Sequence, residues 1–297
     1  VLSLVAAVER LDVRDDFRAV LERAAEIVGY DLENSTPSTP RRAPPPPPVP
    51  PAPRVDFDAV ALPILTLGRL DGSEVARDVA MYLDGRGLLD AARADGWAGL
   101  LGARETQAAW ARLLHDALPA DIVDGSKLLD GESWRWPDHR LVIPWRDLEG
   151  RVVTFQRRAI GPIPAKLPKY VFAGGHSPLW PYGSERLGEL PSDAPIAFVE
   201  GAIDTLAARE LGLGRATGQD GAVLGLPGVS TWRAEWDALV RGRVVIVAVD
   251  CDKAGEAVVS GLSARLYEAG ASNVKRARPP NGSKDWADAL GSNARAA

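Results

Sequence analysis

The chain has 297 residues, 46% of them apolar, with a formal net charge of −5, one cysteine and three histidines. A single cysteine excludes an internal disulfide and a cysteine-rich zinc site, and the scatter of His115, His139 and His176 argues against a histidine-based metal site. No apolar stretch approaches the roughly 18 residues that span a bilayer and no secretory leader opens the chain, so a cytoplasmic protein without a membrane partner is expected. The first residue is Val1 and the only methionine is Met81, which gives the expectation of a fragment or processed form.

Leu4, Val5 and Val8, then Phe17, Val20, Leu21, Ala24, Ala25 and Val28, recur at helical spacing and predict an N-terminal helical segment over 1–33. Ten of the eighteen positions from 36 to 53 are proline, so 34–54 is expected to be an extended linker; a plain spacer is the simplest reading. Residues 55–130 look mainly helical, with helices expected over Glu74–Leu83 and Glu105–Leu118. Leu141–Trp145 and Val152–Phe155 read as two strands around the turn 147–150, a β-hairpin signal. Residues 161–193 are rich in Pro and Gly and are expected to be loop.

From Ala194 onward strands and helices alternate. Strands are expected at Ile196–Val199, Ala222–Leu226, Val244–Val249 and Asn273–Arg278, with helices at Ala202–Leu211, Thr231–Val240 and Ala254–Ala269. This alternation predicts an α/β fold with a parallel sheet flanked by helices. The expected organisation is thus a basic α+β subdomain over 55–193, the parallel-sheet domain over 194–291 and a tail over 292–297.

Two strands end in acids. Ile196–Val199 runs into Glu200-Gly201, and Val244–Val249 runs into Asp250-Cys251-Asp252. Ligands of open parallel sheets bind beyond the carboxyl ends of the strands. A spacing of two on an extended backbone points Asp250 and Asp252 the same way and leaves Cys251 as a small buried residue. Hard oxygen ligands suit magnesium or manganese. Each acid could instead cap the helix that follows it; three acids at matching strand ends, with Asp204 one turn into its helix, favour the metal. The segment from Arg140 to Lys169 carries seven Lys/Arg against two acids, a footprint that suits a polyanion. Trp134, Trp136 and Trp145 border that segment and could stack bases, whereas Trp97, Trp110, Trp232 and Trp236 are expected in the core. Gly212, Gly214 and Gly218 follow a helix and read as a loop.

The acid-Gly strand end, the Asp-x-Asp strand end and Lys284-Asp285-Trp286-Ala287-Asp288 resemble the Toprim domain of topoisomerases and primases. Arg140–Asp147, Gly150–Arg158 and Pro168-Lys169-Tyr170 resemble the basic subdomain of bacterial DnaG-type primases, and Tyr82-Leu83 with Arg86-Gly87-Leu88 resembles the start of that core. Residues 1–32 resemble the helical tail after a primase zinc-binding domain, and that domain is expected to be missing from this chain.

The resemblance implies a metal-dependent nucleotidyltransferase that joins ribonucleoside triphosphates on a single-stranded DNA template. It implies Glu200, Asp250 and Asp252 as catalytic, metal-binding acids, with Asp204 and Asp285 accessory to them. It further implies Arg140, Arg146, Arg157, Arg158, Lys169, Tyr170 and Lys284 as nucleotide or nucleic-acid contacts, a replicative helicase as a possible partner, and a monomer. Gln156-Arg157-Arg158 replaces the usual Gly-Gly-Arg, and Trp180-Pro181-Tyr182-Gly183 replaces a basic loop. With the long linker and no helicase P-loop, these departures suggest a phage or mobile-element type. A Toprim-type nuclease and a non-catalytic nucleic-acid-binding or helicase-associated module are the alternatives. A topoisomerase is disfavoured because no tyrosine stands in a distinctive context.

Overall fold

The computed structural model describes residues 16–27, 55–72, 74–100, 102–162, 164, 166–228 and 231–296. The chain divides into two compact units, Val1–Arg54 and Val55–Ala297. In the first, helix α1 spans Phe17–Ile27; the remainder of the predicted helical segment and the proline linker lie outside the described residues. No helix among the described residues is long and apolar enough to cross a membrane.

The second unit begins with α2 (Phe57–Leu67), α3 (Arg77–Asp84) and α4 (Leu89–Ala94), which lead into the short strand β1 (Ala98–Gly99). Helix α2 is N-capped by Asp56, whose carboxylate accepts from the amides of Asp58 and Ala59. Helices α5 (Arg104–Ala117) and α6 (Ala120–Ser126) follow, then the small hairpin β2 (Leu129–Asp130) and β3 (Ser133–Trp134). Strands β4 (Leu141–Arg146), β5 (Val152–Arg158) and β6 (Tyr170–Phe172) come next. The remainder runs β7 (Ile196–Glu200), α7 (Gly201–Glu210), β8 (Ala222–Leu226), α8 (Asp237–Val240), β9 (Val244–Val247), α9 (Lys253–Glu268), β10 (Asn273–Arg276) and α10 (Trp286–Ala296).

The expected hairpin is the centre of a larger antiparallel sheet of order β1-β4-β5-β6. The later elements form the expected parallel sheet, of order β10-β9-β7-β8. Side-chain alternation along the strands sorts the core into layers. Leu141, Ile143 and Trp145 of β4 pack with Ala197 and Val199 of β7, so the two sheets share one apolar layer. The opposite face of the antiparallel sheet, with Val142, Val152 and Phe155, is covered by α2, α5 and α6. The opposite face of the parallel sheet, with Ile196, Phe198, Leu224, Val245 and Val247, is covered by Trp236, Leu262 and Leu266.

Several boundaries differ from the sequence expectation. The strand expected to reach Val249 stops at Val247, because the next carbonyls bond side chains rather than another strand. Ala248 O accepts from Trp286 Nε1 at 2.7 Å and Val249 O from Arg276 Nη2 at 3.0 Å. The helix expected over Thr231–Val240 is reduced to a 3₁₀ turn at Ala234–Trp236 and the single turn α8. Trp232 there turns its ring edge-on to Phe198 and bonds Asp237, so tertiary packing overrides the helical pattern.

A buried carboxylate joins the two halves of this unit. Asp95, just after α4, has a side chain that is 5% exposed and accepts from Tyr182 Oη at 2.6 Å, from Arg209 Nη1 at 3.1 Å and from Arg186. Trp97 Nε1 donates to the same Tyr182 oxygen at 2.6 Å. Tyr182 in turn pairs its backbone with Gly225 of β8.

Candidate active site

The acids gather at the carboxyl end of the parallel sheet. Glu200 ends β7, and the chain turns at once into α7 through Gly201, whose φ of +71° favours a residue without Cβ. Glu200 Oε1 accepts from the Asp250 amide at 3.3 Å, which ties the two strand ends together. Asp250 and Asp252 lie beyond β9, in the turn to α9, rather than on extended strand as their spacing had implied. Asp252 is the N-cap of α9 and accepts from Gly255 N at 2.9 Å, while its other oxygen lies 3.1 Å from Lys284 Nζ. The capping role weighed in the sequence is therefore the one seen at Asp252, alongside an ion pair with Lys284. Gly255 is required here, since a Cβ would lie 2.2 Å from Asp250 O. Cys251, expected to be buried, is partly exposed.

The segment before α10 closes the site. Cys251 N donates to Lys284 O at 2.8 Å, Trp286 docks under β9, and Ala287 N donates to Asp204 Oδ1 at 2.9 Å. Burial pushes Asp204 up to about 7, aided by Asp285, Asp250 and Glu200 and opposed by the Ala287 amide. Asp250 also rises to about 7, through burial and then the negative charge of Glu200 and Asp285. Glu200 is raised as well, chiefly by burial. Asp250 Oδ1 is buried without a hydrogen-bond partner.

Among the described residues no three of His, Cys, Asp or Glu converge as a preformed metal cluster. The residues nonetheless fit a hard divalent cation. An orphaned carboxylate oxygen faces neighbouring carboxylates that raise one another, and all are the oxygen donors that magnesium and manganese prefer.

The raised carboxyls make a prediction with a definite sign. Both aspartates exceed their unfolded value of about 4, so between about pH 4 and about 7 the folded chain holds more protons than the unfolded one, and stability falls as pH rises. In chelator, the melting temperature is expected to be higher near the low end of this window than above it. Manganese should raise it mainly above the window, and Asp250→Asn should flatten the profile. Calorimetry across pH measures all three; a melting temperature in chelator that rises with pH contradicts the assignment.

A cationic and aromatic cluster faces the acids. Arg158 lies 4.4 Å from the Tyr82 ring centroid and donates to Tyr170 Oη at 3.3 Å. Lys169 Nζ is 5.6 Å from the Tyr170 ring. Burial and the charges of Arg158 and Arg86 lower the Lys169 pKa, and Asp204 and Asp285 oppose them, so the two clusters feel each other. Burial pushes Tyr170 up to about 12. Arg86, 4.9 Å from the Tyr82 ring, belongs to this cluster although the sequence reading gave its side chain no role. Its signal was the Tyr82-Leu83-Arg86-Gly87-Leu88 motif itself.

The other predicted contacts are distributed differently. Arg140 is bound to Asp78 and donates to Ile160 O. Arg146 sits at the far end of β4 from Arg158, which pairs with Leu141, and lines a cavity of about 520 Å³ with Arg69, Arg93 and Trp97. Arg157, 2% exposed, is turned to the opposite side of the sheet. Trp134 and Trp145 are buried and Trp136 is 44% exposed.

A Toprim-like family model matches residues 197–290, the span that contains all five acids. No curated protein matches the chain. Among solved structures, the Aquifex aeolicus primase (zinc-binding and RNA polymerase domains) superposes with a TM-score of 0.61 at 21% identity, covering 99% of this chain and 68% of that one. The RNA polymerase domain of Mycobacterium tuberculosis primase DnaG gives 0.62 at 19% identity, covering 82% and 81%. A DnaG primase catalytic domain bound to single-stranded DNA gives 0.58 at 19% identity, covering 81% and 75%. The fold is therefore a Toprim-like α/β domain with additional β/α subdomains. That combination is the architecture of DnaG primase RNA polymerase domains.

Proposed function

We propose that the chain is a DNA-dependent RNA primase core, which makes short RNA primers on single-stranded DNA. The observation that carries this reading is the opposition of two clusters: Arg86, Arg158 and Lys169 on the antiparallel sheet side face Glu200, Asp204, Asp250 and Asp285 at the end of the parallel sheet. The basic side suits template and triphosphate, and the acidic side suits the cation that accompanies a triphosphate. Glu200, Asp250 and Asp252 would hold a magnesium or manganese ion, which when bound neutralises phosphate charge and favours an attacking oxygen. In each addition the 3′-hydroxyl oxygen forms a bond to the α-phosphorus, the bond from that phosphorus to the pyrophosphate oxygen breaks, and the hydroxyl proton leaves to solvent or a carboxylate. Arg158 and Lys169 hold the phosphates in line with the attacking oxygen.

The test is incubation with single-stranded DNA, labelled ribonucleotides and magnesium or manganese, with a second arm on a pre-annealed primer. Labelled products of template-dependent length support the reading. Shortened DNA without synthesis would establish a nuclease instead, and DNA binding with neither product in either arm would establish a binding module.

A further inference from the structure

We infer that Trp136 is a stacking platform for an unpaired base of the nucleic-acid strand, outside the acid cleft. The inference rests on the single-strand reading above and adds a site to it.

Of the three tryptophans that border the basic segment, Trp136 alone offers its ring to solvent, at 44% exposure against 4% for Trp134 and 0% for Trp145. Its backbone has φ of +54°, a left-handed conformation that bulky residues avoid and that persists only where the surroundings impose it. Those surroundings are explicit. Arg157 reaches under the loop and donates Nε to His139 O at 2.9 Å, Nη1 to Arg135 O at 2.7 Å and Nη2 to Trp136 O at 2.9 Å. It lies 5.2 Å from the Trp134 ring centroid. Burial lowers its pKa to about 9, and the partners of its guanidinium nitrogens among the described residues are backbone carbonyls. A desolvated guanidinium spent wholly on three loop carbonyls is a costly arrangement, and its effect is to fix the loop around Trp136. Gln107 Nε2 bonds Pro137 O at 3.0 Å and Arg104 bonds Asp138 at 2.9 Å, which pins the loop further.

The platform also continues the basic cluster. His139 packs edge-on to Trp136 at 5.7 Å and bonds Pro168 O at 2.7 Å, next to Lys169. His139 is itself fully buried, so it props the loop that presents Trp136 and leaves the indole as the exposed ring on the Pro168-Lys169 side. A rigid indole held without freedom to collapse is suited to stacking, which tolerates any base.

The test uses the full chain and a fluorescein-labelled oligothymidylate, with the same oligomer carrying one abasic nucleotide at successive positions. Trp136→Leu is expected to weaken binding about tenfold and Trp136→Phe by no more than about threefold. One abasic position should cost the native chain a similar factor and cost Trp136→Leu nothing. Should Trp136→Leu lose its fold, the same abasic penalty must shrink in Trp136→Phe. Unchanged affinity, or a weakening with the abasic profile intact, overturns the platform and leaves the primase reading standing. Failure of the native chain to bind the oligomer overturns the single-strand reading itself, and the platform with it.

Discussion

On the proposed primase reading, Asp250→Asn is expected to lower primer synthesis by about a thousandfold, or about 4 kcal/mol of barrier, while single-stranded DNA affinity and fold persist. Asp250 is the carboxylate with an orphaned buried oxygen, and its amide binds Glu200. Asparagine keeps the shape and that amide but removes the charge that a divalent cation requires. It also relieves repulsion among the acids, so the variant should melt no lower than the native chain in chelator. Synthesis within tenfold of native would remove Asp250 from the reaction. Asp252→Asn is the informative companion: asparagine caps helices as well as aspartate, so its loss of activity would report charge rather than unfolding.

The largest loss of stability is expected at Asp95. Asp95→Ala leaves Arg209, whose side chain is 16% exposed, and Arg186 without their carboxylate, and strands the Tyr182 hydroxyl. Removing one member of a buried ionic network costs about 3 kcal/mol or more. For a body of this size that is a fall of about 10 °C in melting temperature. Half-exposed Arg186 contributes little of this; Arg209 and Tyr182 dominate. Because Arg209 belongs to α7, which also carries Asp204, activity should fall with stability. Asp95→Asn, which keeps an acceptor, should lose less. A melting temperature for Asp95→Ala within about 2 °C of native would show the network to be dispensable.

How much of this was legible follows from distance along the chain. Glu200 could be read because an apolar run, an acid and a glycine lie consecutively and mark the end of β7; Asp250 could be read because it closes an apolar run, although that run outlasts β9 by two residues. Asp252 read less well, since the point where β9 stops is set by Trp286 and Arg276, far downstream. The adjacent Arg157 and Arg158 could not both meet one ligand, because the pleat sends neighbours to opposite faces; that period was visible, but which face was which needed Leu141 and Val142 as partners. The Tyr82-Leu83-Arg86-Gly87-Leu88 motif marked Arg86 but not its place beside Arg158 and Lys169, which lie seventy or more residues away. The Asp95 network was hidden for the same reason, and no local pattern marks an aspartate that will be buried.

The docking of Lys284–Ala287 onto the acids has a kinetic consequence. Ala287 meets Asp204 across 83 positions and Trp286 meets Ala248 across 38. Each closes a long loop, whose entropy is lost before the contact is gained. The docked segment brings Asp285 and the Ala287 amide to Asp204 and Asp250. A divalent cation held by these acids would therefore oppose local opening of the segment, and hydrogen exchange at the Ala287 amide should slow in its presence.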